Sequence, residues 1–223
     1  MRLTHSPAWW IRHQKRALAP TTAAIAWTAV LVQMAYSLMH ALERGDTFLM
    51  GFADYFSYFT VLTNTLVALV LTVPLFAPAS PAARWLAHPR VSGMTASAII
   101  VVGLAYHFLL SAINNPVGVE YATDLGLHYF VPTLFTLYWV LHAPKAGLRY
   151  AHVPAFGIYP AAYFAYLMVR GAMVGKYPYF FVDASTIGYT AAARNAAAIL
   201  IFYFLVASLL LLITARQRAE VRE

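Results

Sequence analysis

The sequence predicts an all-α polytopic membrane bundle of six transmembrane helices with both termini cytoplasmic. Three observations predict it: a composition too apolar for a water-facing surface, six uncharged windows of bilayer-spanning length, and a lopsided distribution of basic residues. Of the 223 residues 61% are hydrophobic and only 10% are charged, against roughly a quarter charged in soluble domains. The charges cluster, leaving room for helices at residues 21–42, 52–76, 92–113, 122–142, 150–171 and 195–214. About 20 residues of helix cross the hydrocarbon core, whereas a barrel strand would be about 10 residues with alternating polarity. The connecting loops are short, so residues 1–223 form a single membrane domain.

The first window follows a basic segment, Arg12 to Arg16, as a signal peptide would. Its length, and its end near Glu43 without a small-x-small cleavage site, mark it as a retained anchor. The second carries Asp54, Ser57, Thr60 and Asn64 within about 120° of arc, a polar stripe suited to the bundle interior. On the third, His107 and Ser111 share a face that leads into Asn114 and Asn115. On the fourth, Asp124 and His128 are i,i+4 neighbours, so the carboxylate can orient the imidazole and raise its basicity. Pro132 follows, and its missing N–H is expected to leave the His128 carbonyl unpaired and to kink the helix. The fifth and sixth windows are apolar; Arg170 falls at the end of the fifth, and the loop between them holds Lys176 and the aromatic run from Tyr177 to Asp183.

Orientation follows from charge. If the spans alternate, one side receives eleven basic residues: Arg2, Arg12, Lys15, Arg16, Arg84, Arg90, Lys145, Arg149, Arg216, Arg218 and Arg222. The other receives four, Arg44, Arg170, Lys176 and Arg194. That bias sets both ends in the cytoplasm. It also accounts for the net charge of +7 through topology and anionic lipid heads, with no nucleic-acid partner implied. A bacterial inner, or cell, membrane is the expected location. The absence of cysteine excludes disulfides, thiolate zinc sites and cysteine nucleophiles. No metal site or cofactor is expected.

Polar groups at membrane depth are costly and raise the question of function. At a rise of about 1.5 Å per residue, Thr60 lies about 12 Å, and His107 and His128 about 9 Å, below the outer boundary. His40 lies near the outer end of the first helix. Each has an ordinary structural alternative. Threonine in a membrane helix commonly bonds back to the carbonyl four residues earlier, here Phe56. Asn64 is typical interhelical glue, and a lone histidine is often only a hydrogen-bond partner. Spacing therefore predicts a polar pocket in the outer half of the bilayer without naming an activity.

The segments Tyr58-Phe59-Thr60-Val61-Leu62-Thr63-Asn64, Leu127-His128-Tyr129-Phe130-Val131-Pro132 and Tyr177-Pro178-Tyr179-Phe180-Phe181-Val182-Asp183 resemble the androgen-induced and androgen-dependent membrane protein family, in its bacterial branch. Animal members are membrane threonine hydrolases that cleave fatty acid esters of hydroxy fatty acids. The resemblance implies Thr60 as nucleophile and His128 as base, with Asp124 able to orient it. Side-chain type suggests Asn64, His107, Ser111 or Asn115 for a developing oxyanion, and Arg170 or Lys176 for a substrate carboxylate. The expected partners are membrane lipids and a lipid-ester substrate. Two other classes remain open: a small-solute or proton transporter using buried histidines and carboxylates, and a haem protein using His128 and His142, 14 residues apart on nearly one face.

Overall fold

A computed structural model describes residues 17–220, with side chains to residue 215. Among the basic residues that orient the chain, Arg2, Arg12, Lys15, Arg16 and Arg222 lie outside the described residues, as do the side chains of Arg216 and Arg218. The described chain is all helical, without a strand. Four helices are long and apolar enough to cross a membrane: Leu18–Glu43, Phe59–Phe76, Pro89–Leu110 and Tyr189–Ala215.

Helix α1 spans Leu18–Glu43 and turns at Gly45 into the short α2, Phe48–Tyr55, which is capped by the Thr47 hydroxyl accepting from Met50 N–H at 3.2 Å. The continuous helix expected over 52–76 is not formed, which is a correction with a local cause. The chain leaves helical geometry at Phe56 to Tyr58 and starts again as α3, Phe59–Phe76, with Tyr58 extended at φ −85° and ψ 128°. Ser57 Oγ donates to the Asp54 carbonyl at 2.6 Å, and the Tyr163 hydroxyl donates to the Ser57 carbonyl at 2.8 Å. Side chains thus satisfy backbone groups that a continuous helix would have paired. Asp54 and Ser57 therefore do not share a stripe with Thr60 and Asn64.

After a short helix at Pro81–Leu86, α4 runs over Pro89–Ala105 and continues as a π turn, Tyr106–Leu110. Next come α5, Gly118–Leu125, a second π turn, Gly126–Phe130, and α6, Val131–His142, in one helical run. A 3₁₀ turn at Tyr150–His152 and a four-residue helix, Val153–Phe156, precede α7, Ile158–Val174. The helix expected over 150–171 is therefore interrupted, and its regular part begins later. Helix α8 spans Tyr189–Glu220, longer at both ends than the expected 195–214.

Helix α4 occupies the centre of the bundle, packed on α3, α6 and α8, while α1 lies against α2, α3 and the Gly118–His142 run. The core is built there from Val67, Leu71, Ile99, Val102, Phe135, Tyr138, Trp139 and Tyr203. Helix α7 is more peripheral, with only Leu167 and Gly171 buried. A side chain at Gly171 would begin 2.1 Å from the Tyr177 ring, so glycine lets the following loop fold back over the bundle end.

Candidate functional site

The two π turns face each other and bring Tyr106, which the sequence did not single out, against His128. In the second, Val131 N–H bonds to the Gly126 carbonyl five residues back, and in the first, Ser111 N–H bonds to Tyr106 at 2.8 Å. Each turn holds one residue more than an α-turn, which re-aims the side chains on its helix. Tyr106 is thereby buried and directed inward, and His107 is exposed, with Nδ1 3.3 Å from the Tyr129 hydroxyl. The expected place of His107 in the pocket is taken by its neighbour.

Tyr106, Asp124 and His128 form one connected group. The Tyr106 hydroxyl donates to Asp124 Oδ2 at 2.6 Å, and His128 Nδ1 lies 3.0 Å from Asp124 Oδ1 and 3.1 Å from the Asp124 carbonyl. Both of those atoms are acceptors, so Nδ1 carries the proton, a tautomer in which the neutral imidazole has its lone pair on Nε2. The Tyr106 ring stacks on the imidazole with centroids 3.8 Å apart and 12° between planes. One aromatic residue therefore fixes the carboxylate and covers a face of the histidine.

The carbonyl freed by Pro132 is not the one expected. In the π register the partner of Leu127 would be residue 132, which has no N–H. Asn64 supplies the missing donor: its Nδ2 lies 3.1 Å from the Leu127 carbonyl and 2.8 Å from that of Thr60. Asn64 is fully buried, with Oδ1 lacking a partner, and lines neither cavity described below. The His128 carbonyl instead faces Gly103, where an added Cβ would lie 3.0 Å from it and 3.1 Å from the Pro132 ring.

Thr60 is the second residue of α3. Its N–H donates to the Tyr179 hydroxyl at 3.4 Å, and that hydroxyl also interacts with the Thr60 side chain. Burial raises the Tyr179 phenol above its ordinary value, and the contacts with Thr60 and Phe59 pull it partly back, so it stays protonated at neutral pH.

Two cavities meet at this point. A polar one of about 860 Å³ is lined by Thr60, Asp124, His128, Asp54, Glu120 and Asn115 among others, and an apolar one of about 320 Å³ by Phe59, Phe164, Leu167, Ala196, Leu200 and Tyr203 among others. Thr60, Tyr106, Leu110 and Tyr179 line both. The structure thus sets Thr60, Asp124, His128 and Asn115 around one cavity. Ser111 is turned to the His107 carbonyl at 2.6 Å and lines neither cavity. Arg170 is paired with the Asp54 carboxylate, and Lys176 Nζ lies 3.7 Å from its other oxygen. Both cations therefore have an acidic partner within the protein.

Tyr106 and Tyr179 are the residues that sequence reasoning missed as site members. Tyrosines near a membrane interface read as an aromatic belt; the signal for Tyr179 was its place in the Tyr177-Pro178-Tyr179 run. Comparison with protein-family models, with curated proteins and with solved structures returned no match for the chain.

Proposed function

We propose that the protein is a membrane hydrolase of lipid esters, with Thr60 as nucleophile, His128 as base and Asp124 orienting the base. The observation that carries this reading is the meeting of a polar and an apolar cavity at Thr60. A lipid ester is divided in the same way: its acyl chain suits the apolar side, its alcohol part the polar side, and the scissile carbonyl falls between. In the first step the Thr60 Oγ–H bond breaks and the proton passes to His128 Nε2 while Oγ bonds to the carbonyl carbon. Collapse of the tetrahedral species expels the alkoxide, which takes the proton from His128. Water, deprotonated by the same nitrogen, then bonds to the acyl carbon; collapse breaks the bond to Oγ, the His128 proton returns to Oγ, and the fatty acid leaves.

In this reading the chain crosses a bacterial cell membrane six times with both termini cytoplasmic, and the site faces the outer half. The helical run from Gly118 to His142 supplies one of the two further spans and α7, 17 residues, the other; at 1.5 Å per residue α7 covers about 25 Å, close to the hydrocarbon thickness.

Fluorophosphonate labelling of the purified protein tests the chemistry. Labelling is expected in the wild type, absent in Thr60→Ala and reduced in His128→Ala; equal labelling of Thr60→Ala would overturn the mechanism. Because the chain has no cysteine, single cysteines introduced at Asn115 and at Gly147 test the topology. An impermeant maleimide on intact cells should label the first and spare the second.

A further inference from the structure

We propose that Tyr179 donates the hydrogen bond that stabilises the oxyanion formed on the substrate carbonyl. This rests on the hydrolase reading and names a catalytic residue within it. Three observations support it. The Tyr179 hydroxyl stands at the threonine, accepting from its N–H at 3.4 Å. It stands where the two cavities meet, which is where the carbonyl of a bound ester falls. Its ring is also held in place before any substrate arrives. Phe181 stacks on it at 5.3 Å and 10°, and Tyr58 packs edge-on at 5.7 Å.

The loop that carries Tyr179 is tied down on its C-terminal side. Asn195 Nδ2 donates to the Phe181 carbonyl at 2.8 Å, and the Asp183 carboxylate caps the next turn by accepting from Ser185 and Thr186 N–H. Oxyanion stabilisation depends on such preorganisation, because a donor already in position loses nothing to reorganisation as charge develops. Of the groups first considered for this role, Asn64 and Ser111 are engaged with backbone carbonyls, and His107 and Asn115 are exposed. When Thr60 Oγ forms its bond to the carbonyl carbon, the carbonyl π electrons move onto oxygen. The Tyr179 hydroxyl accepts from Thr60 N–H through its lone pair, which leaves its own O–H to donate to that oxygen.

The test uses the full chain in phosphatidylcholine nanodiscs with p-nitrophenyl decanoate as substrate. A decyl trifluoromethyl ketone serves as an oxyanion mimic, and decanoate as product. Tyr179→Phe removes one oxygen and keeps the ring. It is expected to lower kcat about a hundredfold with KM nearly unchanged, and to weaken the ketone by about the same factor while leaving decanoate affinity intact. Retention of activity within about threefold, with Thr60→Ala inactive, would overturn the role of Tyr179 alone. Equal losses of ketone and decanoate affinity would mark a packing role and overturn it as well. If the wild type turns over no ester, or Thr60→Ala remains active, the hydrolase reading falls and the proposal with it. Should Tyr179→Phe fail to fold, difluorotyrosine at position 179 replaces it. The phenolate cannot donate, so the alkaline limb of kcat should move to lower pH, and an unmoved limb would refute the assignment.

Discussion

Asn64 on α3 holds the Leu127 carbonyl of the facing helix at 3.1 Å, closing the backbone gap that Pro132 and the π turn together open. The same amide nitrogen sits 2.8 Å from the Thr60 carbonyl, so one side chain ties the helix of the candidate nucleophile to that of the candidate base. Asn64→Leu should cost about 1 kcal/mol, the size of an interhelical hydrogen bond in a membrane protein. The melting temperature in detergent should fall by about 2–4 °C. An unchanged melting temperature would mean that the link is dispensable.

Gly103 provides a more severe test of the same interface. A methyl group there would press on the His128 carbonyl and the Pro132 ring, and backbone on a packed helix gives way poorly. Gly103→Ala should destabilise by about 1–3 kcal/mol. Fluorophosphonate labelling should fall too, because the strain falls on His128.

Asp124 accepts from two donors at once, Tyr106 O–H and His128 Nδ1–H. Asparagine would turn an NH2 group, itself a donor, toward one of these two donors. Asp124→Asn should reduce ester turnover by about a hundredfold or more, and Tyr106→Phe, which keeps the ring stack, by about tenfold. Turnover of Asp124→Asn equal to that of the wild type would remove the carboxylate from the mechanism.

Ala196 lines the apolar cavity. With water's share of volume at about 30 Å³, the cavity holds on the order of ten such units, and a methylene is of similar size. Ala196→Trp should therefore depress kcat/KM for decanoate esters by at least tenfold and leave acetate esters within about twofold. Equal effects on both would place the acyl chain elsewhere.

Hydrogen bonds from Ser185 and then Thr186 hold the Asp183 carboxyl below the usual carboxylate range. A group whose folded value is depressed stabilises above its unfolded value, about 4, and loses that contribution as pH falls through the folded one. Protease cleavage near Ser185 should thus increase below about pH 4 relative to neutral pH. Asp183→Asn, cleaved equally at both, is the control; a wild type with no such acid dependence would contradict the cap.

The helical architecture was legible because lipid-facing helices must be long and uncharged, and the windows marked them to within a few residues in α1 and, with its π turn to Leu110 included, in α4. The gap inside residues 52–76 was not. Phe56-Ser57-Tyr58 holds neither glycine nor proline, and the turn is stabilised by Tyr163, more than a hundred residues away. The Asp124–His128 pairing was readable because i,i+4 contacts are local. Tyr106 was not, because helical periodicity assumes a constant register and the π turn breaks it one residue before His107. Asn64 was legible as interhelical glue, and the structure favours that role over substrate binding.

The interruption before Phe59 also has an electrostatic consequence. Had 52–76 been one helix, Thr60 would lie in its interior, where successive peptide dipoles cancel. Because α3 begins at Phe59, Thr60 instead sits in its first turn, at the positive pole of the macrodipole, worth roughly half an elementary charge. A threonine alkoxide forming there is stabilised by the field of α3 itself, before any side chain contributes.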